Sequence, residues 1–489
     1  MRLDEYIWSR NPRGLHVASA FQSPPDYWKY ENPQFGWVKL VCAGTEYVDD
    51  SVYFLSRGIT PIARLYVERY GAGPFDQHLQ SIVRAFASVG VKWFEFYNEP
   101  NVDVEWPIGF DPSWEDTNTI IRPMMDNWLN FAEYVVSLGC YPGFVSLTES
   151  NVPRYATVPW MDQFLNYLAN NHYDRFNYVL QNGLYCATHP YVANHFYQEI
   201  PGRGPLSARP SRDQRSQEPG WHWEYPYDPI CQADDPGRTV YGGTALSPYG
   251  DPNGLIAVGR MFNERCNMIW GSENIPVVGT EGGVLPIYGG PHQQDDRYPS
   301  YDEHSHAEAT VAMFEWIARE APPWFFGLCL WKEDILYPPE GGYAPAIDHL
   351  QRIPPVLKQV PPFEVMGDPR SRITPTPTIS GPGPIRGTAD HHMILLAPGL
   401  DAGWFFDTAQ AYWNHFRPIV SSRSDLIHFI PNTQSLAITL ISPPAMVDTI
   451  VANIRLQYPN IYIDQIAIES QDEIREILNT RVRENKRFG

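Results

Sequence analysis

Cysteine is scarce in this 489-residue chain, with six residues (Cys42, Cys140, Cys186, Cys231, Cys266 and Cys329) and no CxxC spacing. That pattern argues against a zinc site and leaves disulfide pairing open. Several of the six fall inside predicted strands or helices, where a free thiol acts as a small core side chain. Basic stretches are also lacking. Lys and Arg total 36 against 56 Asp and Glu, a formal charge of −20, so a nucleic-acid partner would be repelled over most of the surface. No apolar run is long enough to span a bilayer, and the opening MRLDEYIWSRNPRG has no apolar core of a signal peptide. The expectation is a cytoplasmic chain with no membrane partner. No internal repeat is present.

What the chain does have is globular composition, with 43% hydrophobic and 19% charged residues. Its 14% aromatic share, including 16 Trp and 29 Tyr, is high. Strand-like runs lie near 15–20, 37–42, 60–67, 92–98, 144–149, 186–191, 276–281 and 326–331. Helical stripes lie between several of them, such as Leu79, Ile82, Val83 and Phe86, or Met125, Trp128, Leu129, Ala132 and Val136. Only 21–36 and 43–59 show little helical period. Eight alternating units predict parallel pairing closed into a (β/α)8 TIM barrel over 1–351. Within it, 192–253 reads as a long loop rich in Pro, Gly, Trp and Tyr, either a lid or cleft wall, or an insertion with local structure. Residues 352–388 read as a Pro-rich linker, and 389–489 as a small C-terminal α/β domain without a catalytic constellation.

Two strand ends carry the chemistry. In WFEFYNEPN, Glu99 ends the fourth strand, with Asn98 able to offer an amide and Pro100 turning the chain outward. In IPVVGTEGGV, Glu281 ends the seventh, followed by Gly282 and Gly283, which permit a ligand to approach closely. A carboxylate on a buried strand is costly unless paired or used. Two carboxyls facing each other across a barrel mouth suit displacement at an anomeric carbon, which with retention needs them about 5–5.5 Å apart. Glu149, in SLTES, is a rival carboxylate without the apolar run or the glycines. Glu303, His304 and His306 fit an exposed polar loop or cap better than a metal site, and His391 and His392 lie beside the linker. No metal and no cofactor are expected.

The order of these motifs resembles the clan of retaining (β/α)8-barrel glycoside hydrolases with glutamates on strands four and seven. The resemblance spans roughly 12–335. It implies Glu99 as acid/base, Asn98 as holder of the substrate 2-hydroxyl, and Glu281 as nucleophile. THPY at 188–191 is similar to the clan's strand-six element, implying His189 and Tyr191 in the cleft, and Trp331 matches the tryptophan that floors a sugar subsite. The implied partner is a β-linked carbohydrate. A transglycosylase and a non-catalytic carbohydrate-binding barrel are the alternatives. One departure stands out. The clan commonly carries an arginine on strand two, where this chain has Lys39, with Arg64 on strand three. Arg64 pairs either with Glu281 or with the deeper Glu95.

Overall fold

A computed structural model describes residues 1–18, 25–150, 152–193, 195–203, 206–286, 295–361, 388–397, 400, 402–422, 424–430, 434–458, 461–468 and 471–489. The chain divides into two compact units, Met1–Met366 and Gly367–Gly489.

The first unit is a closed parallel (β/α)8 barrel. Its strands are β1 (Arg13–His16), β2 (Trp37–Cys42), β3 (Thr60–Leu65), β4 (Trp93–Glu95), β5 (Tyr141–Phe144), β6 (Tyr185–Thr188), β7 (Val277–Gly279) and β8 (Phe325–Leu330). Each pairs with its neighbours in sequence, and β1 closes on β8. Every residue of these strands is buried, because the inner face fills the barrel and the outer face meets helices. Trp37 and Trp93 come from strands that are not adjacent, yet their rings lie 5.0 Å apart. They therefore meet inside the barrel, and Tyr185, at 4.8 Å from Trp93, joins them in an aromatic plug. Helix Gln77–Ser88 buries the stripe Leu79, Ile82, Val83 and Phe86 and is capped by Asp76, which accepts from Leu79 N.

Three expectations shift. The fifth strand is Tyr141–Phe144 rather than 144–149, because Pro142 and Gly143 disguise it as a turn. Glu149 consequently lies well past the strand end. The crossover at 43–59 does hold a helix, Val48–Ser56, whose buried face includes Asp50 and Ser51. Asp50 is tolerated there because it accepts a hydrogen bond from the Tyr27 hydroxyl, and such polar core positions hide the period. The 192–253 stretch has structure of its own. Tyr197–Gln198 pairs antiparallel with Trp221–His222, and helix Pro229–Asp234 is capped by Asp228. The buried Gln198 amide donates to Arg215 O and Glu218 O, which organises the turn between them.

Helix Glu303–Arg319 begins at Glu303, with Asp302 as its cap, so His306 is a buried first-turn residue and not part of an exposed loop. Beyond helix Pro345–Arg352 the chain stays on the barrel. Lys358 Nζ donates to Ile317 O and Ala321 O, and Lys358 N to Arg10 O. Of the Pro-rich linker read at 352–388, residues 362–387 lie outside the described residues. All six cysteines are buried and free. Among the described residues no helix is long and apolar enough to cross a membrane.

The second unit is a four-stranded parallel sheet of β9 (His391–Leu396), β10 (Ile419–Ser421), β11 (Leu436–Ser442) and β12 (Tyr462–Ala467), in the order β10-β9-β11-β12. Met393, Leu395, Ile438 and Leu440 pack with Val447, Val451 and Ile454 of helix Pro444–Gln457. The alternate residues Ile394, Leu396 and Ile441 pack with Phe405, Tyr412, Ile474 and Leu478 of helices Ala402–Phe416 and Gln471–Arg483. Period-two alternation thus serves two apolar faces. A buried polar chain crosses this sheet: His392 Nε2 lies 2.9 Å from Thr439 Oγ1, which donates to Asp464 Oδ2 at 2.9 Å.

Candidate active site

Past β4 the chain leaves the ladder in a constrained way. Asn98 bridges Ser146 on the neighbouring strand exit, and Glu99 N donates to Ser146 O at 3.0 Å. Glu99 then takes φ +37°, a conformation that a side chain with a Cβ rarely adopts. Strain of this kind gathers at functional positions. The loop beyond is pinned by Asn101, whose amide donates to Thr148 O and Tyr155 O and accepts from Thr148 N.

Past β7, Glu281 follows the buried Thr280. Gly282 is at φ +128°, and a Cβ there would sit 2.4 Å from Pro190 O. A Cβ on Gly283 would meet Leu330 at 2.6 Å. The glycines therefore admit neighbouring chain, not a ligand as the sequence suggested. Gly283–Val284 pairs with Tyr191–Val192, so the segments after β6 and β7 are stitched together outside the barrel.

These exits bring Glu99, His189 and Glu281 together, with one ligating atom of each within 4.8 Å of the others. Glu281 is almost fully buried and crowded by donors. Lys39 Nζ at 3.0 Å and Arg64 Nη1 at 3.4 Å donate to Oε1, and His16 Nε2 lies 3.5 Å from the same oxygen without a hydrogen bond. The Tyr191 hydroxyl donates to Oε2 at 3.0 Å. Burial alone would raise the proton affinity of this carboxyl. The opposing influence of His189, Lys39 and His16 outweighs it and holds Glu281 well below the usual carboxylate range. Glu99 is different. Its partner is His189, with Nδ1 2.7 Å from Oε1, and among the described residues no Lys or Arg lies within ion-pair distance.

Lys39 also lies 2.9 Å from Glu95 Oε2, so the lysine, rather than Arg64, is the cation placed between Glu95 and Glu281. Asn98 Nδ2 donates to Glu105 Oε1 at 2.8 Å, which leaves its Oδ1 without a partner. Asn98 lines the cleft with its Nδ2 committed to Glu105 and its Oδ1 buried. Trp331 stands against His16, ring centroids 4.7 Å apart, and Tyr191 at 6.4 Å.

Above the carboxylates is an open cleft of about 360 Å³, lined by Arg64, Asn98, Glu99, Glu105, Tyr191, Glu281 and Trp331 with Leu285, Pro286 and Ile335. Among the described residues none of 193–253 lines it. Glu149 does not line it either; burial, then Asp251 and Glu99, push its carboxyl well above the usual range. His16 and Glu105 carry no motif. Lys39 had a signal of its own, as the one charge inside the apolar run WVKLVC. Glu99, His189 and Glu281 are also a geometrically possible cation site. A cation there would meet the Lys39 ammonium and Arg64 guanidinium already on Glu281.

No protein-family model matches the chain, and no curated protein matches it. Among solved structures, a GH113 β-1,4-mannanase is 11% identical with TM-score 0.27, covering 69% of this chain and 97% of that one. An endo-β-1,4-mannanase from Thermotoga petrophila is 9% identical with TM-score 0.29, covering 81% and 83%. A D-psicose 3-epimerase is 10% identical with TM-score 0.27, covering 63% and 98%.

Proposed function

We propose that the barrel is a retaining glycoside hydrolase acting on a β-linked sugar, with Glu99 as acid/base and Glu281 as nucleophile. The observation that carries this is the asymmetry of two close carboxyls. Glu281 is buried among donors that favour its ionised form, while Glu99 opens on the cleft with no Lys or Arg within ion-pair distance among the described residues. Glu281 attacks the anomeric carbon as Glu99 gives its proton to the leaving oxygen, and a glycosyl ester forms. Glu99, left ionised by that transfer, then takes a proton from the incoming water, which attacks the anomeric carbon and releases Glu281 as a carboxylate. Trp331 and Tyr191 offer apolar surface beside the reacting carbon.

Aryl β-glycosides and common β-linked polysaccharides, assayed beside Glu99→Gln, test the reading. Glu281→Gly should abolish turnover and regain part of it with azide, giving a glycosyl azide. Near-wild-type activity in Glu281→Gly would sink the assignment. Product analysis at high acceptor concentration distinguishes transfer to a sugar from transfer to water.

A further inference from the structure

His189 has no exposed side-chain surface, and its two ring nitrogens face different neighbours. Nδ1 lies 2.7 Å from Glu99 Oε1 and 3.7 Å from Glu281 Oε2. Nε2 lies 3.4 Å from Lys39 Nζ. Lys39 is itself wholly buried, with Glu95 Oε2 at 2.9 Å, Glu281 Oε1 at 3.0 Å and Thr280 Oγ1 at 3.3 Å. An ammonium only donates, and two carboxylates this close keep it charged. A hydrogen on His189 Nε2 would then point one donor at another with no acceptor between them. Nε2 must present its lone pair to Lys39, and the ring hydrogen must sit on Nδ1, aimed at Glu99 Oε1.

The consequence reaches the acid. Oε1 of Glu99 already accepts from His189, so a protonated Glu99 must carry its hydrogen on the other oxygen. We infer that Lys39 is a positioning residue: by fixing the tautomer of His189 it directs the acidic hydrogen of Glu99 to Oε2. This rests on the acid/base reading of Glu99 given above. It also assigns a task to Glu95. When Glu281 becomes an ester it no longer balances Lys39, and Glu95 keeps the ammonium charged. The tautomer therefore stays the same in both halves of the reaction. Oε2 donates its proton to the leaving oxygen in the first half and takes one from water in the second, while Oε1 remains held. His16, Arg64 and Tyr191 face Glu281 and not the ring nitrogens of His189.

Nitrogen-15 NMR of the full chain carrying labelled histidine, with His189→Gln to assign the signals, reads the tautomer without any substrate. The expected wild-type result is an unprotonated Nε2 and a protonated Nδ1 at neutral pH. In Lys39→Met, Nε2 gains a proton, either by tautomer exchange or as an imidazolium between the carboxylates. Hydrolysis by that variant falls by about 10- to 100-fold, as for loss of other supporting partners. A wild-type His189 protonated on Nε2 overturns the inference, and that spectrum decides even if Lys39→Met does not fold. An inactive wild-type protein with the expected tautomer overturns only the glycosidase reading. An active one with Nε2 protonated overturns only the role of Lys39.

Discussion

Removing the Lys39 ammonium is the most demanding test of the barrel interior, because stability reports it without any substrate. In Lys39→Met the apolar stem is kept and the charge is lost, which takes the ion pair from Glu95 and leaves Glu281 with Arg64 and Tyr191, both carboxyls being under 5% exposed. At 2.9 and 3.0 Å each carboxylate interacts with the ammonium by about 5–6 kcal/mol at an effective permittivity of ~20. Desolvation offsets much of this, and removing one partner of a buried ionic group costs about 3–5 kcal/mol. Over the unit Met1–Met366 an unfolding entropy of ~2.1 cal/mol/K per residue sums to about 0.8 kcal/mol/K. The expected fall in Tm is then about 4–6 °C near neutral pH, measured by calorimetry.

The pH dependence has a definite sign. In the wild type the folded pKa of Glu281 is depressed, so its contribution is present above the unfolded value and lost only on strong acidification. Without Lys39 one of the charges that depress Glu281 is gone, so its folded carboxyl binds a proton more tightly than in the wild type. The variant's deficit is therefore largest at about pH 7–8 and shrinks toward about pH 5. An unchanged Tm at neutral pH, or a deficit that grows on acidification, would refute the argument.

Three further outcomes follow from particular contacts. Tyr191→Phe removes a neutral donor to an ionised carboxylate, worth about 1.5–3 kcal/mol, so kcat on the preferred aryl glycoside should fall about 10- to 100-fold; an unchanged kcat would remove Tyr191 from the site. Glu224 accepts from Ile256 N, and burial raises its carboxyl to about 7 against the opposing effect of Arg260. A folded pKa raised above the unfolded one makes stability fall as pH rises from about 4.5 to 7, and Glu224→Gln should flatten that part of a Tm-against-pH curve. Thr439→Val breaks the link between His392, whose imidazole burial holds at about 3, and Asp464. The unfolding transition of Gly367–Gly489 should weaken by about 1–3 kcal/mol, while that of Met1–Met366 is unchanged.

The barrel was legible because its strands are apolar runs separated by helical stripes, a pattern set by local burial. It blurred where tertiary partners overrode local preference. Pro142 and Gly143 lie within a strand because neighbours on both sides supply the pairing, and Asp50 is buried because Tyr27 supplies a hydrogen bond. Glu99 and Glu281 could be picked out because a carboxylate after a buried strand is expensive by itself. Their surroundings could not. Which cation reaches Glu281 depends on strand register and side-chain reach, and these favour Lys39 at 3.0 Å over Arg64 at 3.4 Å. The direction in which Asn98 presents its amide depends on Glu105, a loop residue with no motif.

The pairing of Tyr191–Val192 with Gly283–Val284 acts as a clasp on the long excursion between them. Only the start of that excursion adjoins the pairing; its far end leads into helix Ala257–Trp270 and then β7, so what the clasp joins is the exits of two barrel strands beside Glu281. A change in the length of 193–253 would enter between β6 and that helix, while the two strand exits stay joined to each other through Tyr191–Val192 and Gly283–Val284.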